Sequence, residues 1–228
     1  MSGEPDISVP ARALGDPARA LIASALLGNR QIPASDLARV AGVSASTASE
    51  HLRILMDAGL LDVQQRGRNR FYRLAGEGAA RAVEALQGIA PFREVRSLRQ
   101  STISADLRRA RTCYDHLAGD LGMRITDLLT RSGLVTQLAV GQSANAPSPF
   151  PQGGLVDALN LRPPRGARPW ARGCLDWSSR QPHVAGQLGA QVLATFETEE
   201  WVTRRVTSRA VRLTARGEDM LVALEGRG

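Results

Sequence analysis

The chain contains no lysine, and all 29 of its basic residues are arginine. Against 22 acidic residues this leaves a formal net charge of +7, an excess that suits a phosphate-rich partner. The choice of Arg over Lys reads as the mark of a GC-rich genome and carries no functional weight. Cysteine is scarce too: Cys113 and Cys174 are too few for a disulfide framework, and in a reducing cytoplasm they are expected to stay thiols. No apolar run approaches the roughly 20 residues of a membrane span, and no charged start with an apolar stretch follows Met1. Also missing are a Gly-rich phosphate loop, a His-Glu-x-x-His, a Gly-x-Ser-x-Gly and a promising pair of carboxylates, so neither an enzyme nor a cofactor is expected. What remains is a cytoplasmic globular protein of 228 residues, 43% hydrophobic, long enough for one large core or two small ones.

Turn formers divide the chain. Asn145-Ala-Pro-Ser-Pro-Phe-Pro-Gln-Gly-Gly154 and Arg162-Pro-Pro-Arg-Gly166 mark 141–172 as a Pro/Gly-rich linker. Before it, 10–78 reads as short helices plus a hairpin. The segment 79–140 reads as a helical region, Leu86, Ile89, Leu98, Leu107, Leu117, Leu121, Leu128 and Leu129 recurring at three- and four-residue steps. Such length beyond a small head suits dimerisation. After the linker, 173–226 reads as a helix over Pro182 to Thr195, a hairpin over Trp201 to Leu213, and a last helix over Ala215 to Leu224 capped by Thr214. The hairpin parallels Asp62 to Leu74 in its Arg-rich strands and in the helix that follows, so this C-terminal helix-hairpin-helix is a candidate second winged-helix-like or sensor unit. Chance similarity of Arg-rich hairpins is the alternative. The fold class expected is mainly α with small β-hairpins.

The sharpest pattern lies between Ser35 and Leu74. Ser35 is placed to cap a short helix with Leu37, Ala38 and Val40 on one face, Gly42 to make a tight turn, and Ser44 to cap a second helix over Ala45 to Ala58. On that helix Ala48, Leu52 and Leu55 form a buried stripe, which turns Ser46, Thr47, Ser49, Glu50 and Arg53 outward. Small hydroxyls near a helix N-terminus let it enter a major groove and bond phosphates or base edges. Gly59 ends the helix. Two short strands then flank Arg66-Gly67-Arg68-Asn69-Arg70, a tip that brings three guanidiniums toward phosphates or a narrow minor groove. An edge hairpin of solvated charges is the plain alternative for the tip alone; directly after a capped helix-turn-helix, contact with duplex DNA is the stronger reading. The residues assigned to DNA are Ser44, Ser46, Thr47, Ser49, Arg53, Arg66, Arg68 and Arg70. His51, beside the buried stripe, is read as a structural histidine.

Leu14-Gly-Asp-Pro-Ala-Arg19, Asp36-Leu-Ala-Arg-Val-Ala-Gly-Val-Ser44, Ser49-Glu-His-Leu-Arg-Ile-Leu55, Ala58-Gly-Leu-Leu61 and the Arg-rich hairpin together resemble the ArsR/SmtB family of bacterial winged-helix regulators, over about the first third of the chain. The resemblance implies a homodimer, usually a repressor that leaves a near-palindromic operator when an effector binds. Ala45 and Glu50 depart from the longer polar and the basic residues common there, so base preference does not carry over.

The positions at which metal-sensing members hold their ions offer no Cys on the helix over Asp36 to Ala41, and only Glu77 and Glu84 on the helix after the wing. No metal ligand is assigned, and zinc is expected to change operator affinity by less than tenfold. The remaining candidates fall in Arg111-Thr-Cys-Tyr-Asp-His116 and Cys174-Leu-Asp-Trp-Ser-Ser-Arg-Gln-Pro-His183, which resemble segments of a longer ArsR subgroup. Cys113, Tyr114, His116, Trp170, Cys174, Trp177 and His183 form a candidate effector pocket, with Trp201 a further aromatic for an organic ligand. Redox sensing by Cys113 and Cys174, a metal or metalloid held by the two Cys with His116 and His183, and plain packing all stay open. On a helix Cys113 and His116 share a face at i, i+3. Beyond a regulator, an architectural protein that coats DNA fits the same composition.

Overall fold

The computed structural model describes residues 3–92, 94, 97–205 and 208–226, and two units divide at Val83 and Glu84. Unit 1 opens with α1 (Ser8–Leu14) and α2 (Pro17–Ala25). Asp16 caps α2 by accepting from the Arg19 N–H at 3.0 Å, and Pro17 fills the first helical position, where no N–H is needed. After β1 (Ile32–Pro33), α3 (Ala34–Ala41) and α4 (Ala45–Asp57) make the helix-turn-helix. Gly42 takes the left-handed conformation at the end of α3, with φ 67°, which a side chain would resist. Ser44 then caps α4, accepting from Thr47 N–H at 3.2 Å. Two details differ from expectation. Ser35 lies inside α3 rather than at its cap, because Pro33 pairs with the wing and the helix starts directly after it. Val40 is exposed, so the buried face of α3 is Leu37 and Ala38 alone.

The wing is β2 (Leu61–Arg66) paired antiparallel with β3 (Asn69–Leu74), β1 lying on the other edge of β3. The register sets Leu61 opposite Leu74 and Arg66 opposite Asn69, so Gly67 and Arg68 form the turn, with Gly67 at φ 59°. Ile22, Leu26, Leu27, Leu37, Leu52 and Leu55 are fully buried and hold the unit together, each contributing about 1.5–3 kcal/mol by burial. The chain then enters α5 (Gly76–Ile89), whose first eight residues belong to unit 1 and whose remainder belongs to unit 2.

Unit 2 continues with α6 (Leu98–Arg109), a small hairpin of β4 (Arg111–Thr112) and β5 (Leu117–Ala118), and α7 (Asp120–Arg131). Next come β6 (Ser143–Ala144), α8 (Gly154–Ala158), β7 (Ala171–Leu175) and β8 (Pro182–Ala185). Last are α9 (Gly186–Thr198), β9 (Val202–Arg204), β10 (Val211–Leu213) and α10 (Ala215–Glu225), the latter capped by Thr214, which accepts from Gly217 N–H at 3.0 Å. The sheets are β4-β5, β6-β7-β8 and β10-β9. Helices predominate among the described residues and the strands are short, as expected, although three small sheets are set among the helices of this unit.

Three expectations fail here for stated reasons. The helical reading across Leu107 to Leu134 is broken by the β4–β5 hairpin, and Leu117, Leu121, Leu128 and Leu129 are consumed by the core of this unit. The reading of 141–172 as a linker overlooks its apolar residues: Val156, Leu159, Leu161 and Trp170 are buried, and Gln191 and Gln187 of α9 accept from the Arg162 and Arg165 backbones. Pro182 to Ala185 is a strand rather than the first turn of a helix, because it pairs with β7 over four residues. The tip residues Val206 and Thr207 of the last hairpin lie outside the described residues, as do Arg93, Val95 and Arg96 in the segment expected to be helical. Among the described residues, no helix is long and apolar enough to cross a membrane.

Candidate functional site: a nucleic-acid interface and a buried donor cluster

In unit 1, α4 buries Ala48, Leu52 and Leu55 and leaves Ser44, Ala45, Ser46, Thr47, Ser49 and Glu50 exposed. The hydroxyl of Ser44 lies 2.9 Å from that of Ser46 and 2.8 Å from that of Thr47, and Ser49 donates back to the Ala45 carbonyl at 2.9 Å. The result is a low, hydroxyl-lined first turn whose backbone N–H groups carry the positive end of the helix dipole. Arg53 is not a free cation: it pairs with Glu50 at 2.6 Å and with Asp57 at 2.7 Å. On the wing, Arg66 lies over the Phe71 ring at 5.6 Å and donates to Gln64. Arg68 and Arg70 are exposed and have no hydrogen bond or ion pair among the described residues. His51 is half-buried, 3.5 Å from Arg19 and 4.0 Å from Asp16, an intradomain tie consistent with a structural histidine.

In unit 2 the two Cys/His segments meet. Cys113 and His116 sit at the two ends of the tight β4–β5 connection, closed by a Cys113 N–H to His116 carbonyl bond at 2.9 Å, and not on a helix. Cys174 and His183 are direct partners across β7 and β8. All four are buried, and one donor atom from each lies within 4.8 Å of all the others. The two sulfurs are 3.8 Å apart and the two Nε2 atoms 3.0 Å apart. Behind each imidazole stands a carboxylate: Asp115 Oδ1 is 3.5 Å from His116 Nδ1, and Asp176 Oδ2 is 3.5 Å from His183 Nδ1.

These carboxylates are themselves held. Arg168 forks onto both oxygens of Asp115 at 2.6 and 2.9 Å. Fully buried Asp176 pairs with Arg111 at 2.8 Å and accepts from Gly119 N–H at 2.7 Å. On the sulfur side, Glu84 of α5 is buried, with Oε1 in contact with Cys113 Sγ and Oε2 3.5 Å from Cys174 Sγ.

The titration of this cluster follows from its burial. Desolvation, then the hydrogen bond with Cys174, pushes the Cys113 thiol well above its ordinary value. Burial opposes a charge on His116, but Cys113, Asp115 and Glu84 outweigh it and raise His116 to about 10. Burial, followed by the facing His116, pushes His183 well below its ordinary value. Desolvation works against the Asp176 carboxylate, yet the Arg111 guanidinium outweighs it and holds the group well below the usual range.

Three of the aromatics expected to line an effector pocket, Trp170, Trp177 and Trp201, make separate contacts. Trp170 is buried in the core, donating to the Leu134 carbonyl at 3.1 Å, and Trp201 packs edge-on against Phe196. Trp177 lies under the Arg111 guanidinium at 4.4 Å. A cleft of about 550 Å³ in this unit is lined instead by charged groups such as Asp106, Arg109, Arg124, Arg205 and Glu218. Large aromatics in this unit were consumed by its core, which sequence spacing does not reveal. The residues sequence reasoning missed are Asp115, Asp176 and Glu84 as neighbours of the donors. A signal was there: an Asp stands two places after each Cys.

The helix-turn-helix domain family matches residues 14–64. Over 218 residues, covering 94% of each chain, the sequence is 39% identical to the HTH-type transcriptional regulator YdfF of Bacillus subtilis (strain 168). It is 32% identical over 78 residues to the HTH-type transcriptional regulator YgaV of Escherichia coli (strain K12), covering 34% of this chain and 79% of that one. The homodimeric winged helix-turn-helix DNA-binding domain Mb0332 from Mycobacterium bovis, a solved structure, is 28% identical, with a TM-score of 0.34 and coverage of 38% of this chain and 87% of that one. Through the end-to-end likeness to YdfF, the chain belongs to the HTH-type transcriptional regulators.

Proposed function

We propose that the chain is a sequence-specific DNA-binding regulator that works as a homodimeric repressor and leaves a near-palindromic operator when an effector binds. One observation carries this reading: α4 offers a capped, hydroxyl-lined first turn to solvent while its other face is fully buried, and the chain runs on into a wing with unpaired guanidiniums at Arg68 and Arg70. Ser44, Ser46, Thr47 and Ser49 then face the major groove, where short side chains allow the helix N-terminus to approach phosphates and base edges. Arg68 and Arg70 reach phosphates or the minor groove. Arg66 follows them as a stacked support, and Arg53 reaches DNA only by exchanging Glu50 and Asp57 for it.

The dimer reading is supported by apolar side chains left in water within unit 2. Leu86 and Ile89 on α5 and Leu98 and Ile103 on α6 are exposed, Ile89 at 78% and Leu98 at 88%, more than a monomer ordinarily leaves uncovered in one short stretch of chain. The stretch 107–134, also expected to contribute, has its apolar face in the core instead. The C-terminal helix-hairpin-helix is not a second DNA reader in this account, because α9 buries Leu188, Val192, Leu193 and Phe196 and its Gln187 and Gln191 are engaged.

The test is footprinting and sedimentation of the full chain. A two-fold dimer protects two half-sites whose centres lie about 10 to 10.5 bp apart, or a multiple of that. A monomer at micromolar concentration both free and on DNA contradicts the dimer, and protection without sequence preference favours the architectural reading.

A further inference from the structure

We propose that Cys113, His116, Cys174 and His183 form a closed tetrahedral site for a borderline-soft divalent cation of the zinc class, carried entirely by unit 2. The site owes nothing to the helix-turn-helix and stands whether or not the regulator reading does.

The backbone supplies the first argument. Each of two hairpins contributes one sulfur and one imidazole: the β4–β5 turn holds Cys113 and His116 through its own closing hydrogen bond, and the β7–β8 register holds Cys174 against His183. Four donors are thus fixed by pairing rather than by flexible side-chain reach. Buried Cys and His are usually packing, but packing does not aim four donor atoms at one point.

Distances supply the second. With metal–sulfur bonds of about 2.3 Å and metal–nitrogen bonds of about 2.0–2.1 Å, the edges of a tetrahedron come to about 3.8 Å between sulfurs and about 3.3 Å between nitrogens. The observed separations on these two edges are 3.8 Å and 3.0 Å, and all four donor atoms lie within 4.8 Å of one another, so the sulfur and nitrogen pairs already stand near their tetrahedral spacing and an ion at the centre draws the two pairs together.

The third argument is electronic. Asp115 Oδ1 and Asp176 Oδ2 each stand 3.5 Å from the Nδ1 of one ring, on the side away from the Nε2 pair, which leaves both Nε2 atoms directed at one point. Two Nε2 atoms 3.0 Å apart place a positive charge between them. A shared proton is one such charge, and a metal ion flanked by two thiolates is the other. The carboxylates that orient ligating imidazoles in zinc sites are thus in place, and each is in turn anchored by an arginine. Two thiolates balance a divalent charge, which a buried site needs, and the Glu84 carboxyl group now against both sulfurs gives way to the ion. Burial of all four donors leaves no open position for substrate, as in sites that hold structure or report metal rather than catalyse.

The experiment uses the full chain, reduced, stripped with a chelator and titrated anaerobically with Co²⁺ alone. The expected result is saturation at one ion per chain, with a sulfur-to-cobalt charge-transfer band, the intense visible bands of tetrahedral cobalt, release of protons from both thiols and displacement by Zn²⁺. Cys113→Ser and Cys174→Ser each weaken the charge-transfer band, and His183→Gln weakens the visible bands while keeping it. Zn²⁺ also raises the melting temperature of the wild-type chain, a readout that needs no variant. Weak octahedral spectra, no saturable uptake, or charge-transfer bands that survive loss of both cysteines would overturn the site. None of these readouts involves DNA, so their outcome is independent of operator binding.

Discussion

Replacing Arg68 and Arg70 together by alanine tests the wing with a number. Both guanidiniums are exposed and unpaired among the described residues, so neither holds the fold and both are available to phosphate. In a two-fold dimer the pair gives at most four phosphate contacts, and at about 0.9 log unit per contact the slope of log K against log salt flattens by up to about 3.6. Between about 50 and 200 mM salt, a span of about 0.6 log unit, the variant then loses about 150-fold less affinity than the parent. Fluorescence anisotropy on one labelled duplex, repeated across that salt range, measures both slopes. Arg53→Ala serves as the internal comparison: its guanidinium is already neutralised by Glu50 and Asp57, so its slope changes less than that of either wing arginine. An unchanged slope in the double wing variant refutes the placement of the wing on DNA.

Three further outcomes follow from the structure. Ile89→Asp combined with Leu98→Asp is expected to shift the chain toward monomer in sedimentation, since each exposed side chain stands to bury apolar area worth about 1.5–3 kcal/mol in a dimer; an unchanged dimer would move the interface elsewhere. Arg111→Ala leaves the fully buried Asp176 without its guanidinium and should cost about 3–5 kcal/mol in urea unfolding, whereas Arg131→Ala, which breaks the exposed pair with Asp127, should cost about 0–1 kcal/mol. Ser44→Ala removes the cap of α4 and should cost about 1 kcal/mol, while Ser44→Gly costs only a few tenths; equal losses would show that the hydroxyl does not cap.

The helix-turn-helix was legible because its signals are local. Ser44 before an amphipathic run, Gly42 in a turn and alternation around Gly67 each act within a few residues, and together they placed α4 to within a residue and the wing strands to within three. The donor cluster was only half legible. Its four residues stood out as two short segments, but Cys113 and Cys174 are 61 positions apart and His116 and His183 are 67, and nothing short of the fold decides that they meet. The spacing of Cys113 and His116 also misled, since three positions separate neighbours on a helix and the ends of a tight turn alike. Proline and glycine between 141 and 172 announced turns correctly but not that Leu159 and Trp170, interleaved with them, would be buried. Tryptophan offered no way to tell a pocket wall from a core.

The central claim, that this chain reads DNA sequence, is tested most directly by selecting duplexes from a random pool with the full-length protein. The affinity for the selected site is then compared with that for a scrambled duplex at one fixed salt concentration. The account predicts a site with two related half-sites bound at least about 10³-fold more tightly than the scrambled duplex. Equal affinity for the two would contradict it.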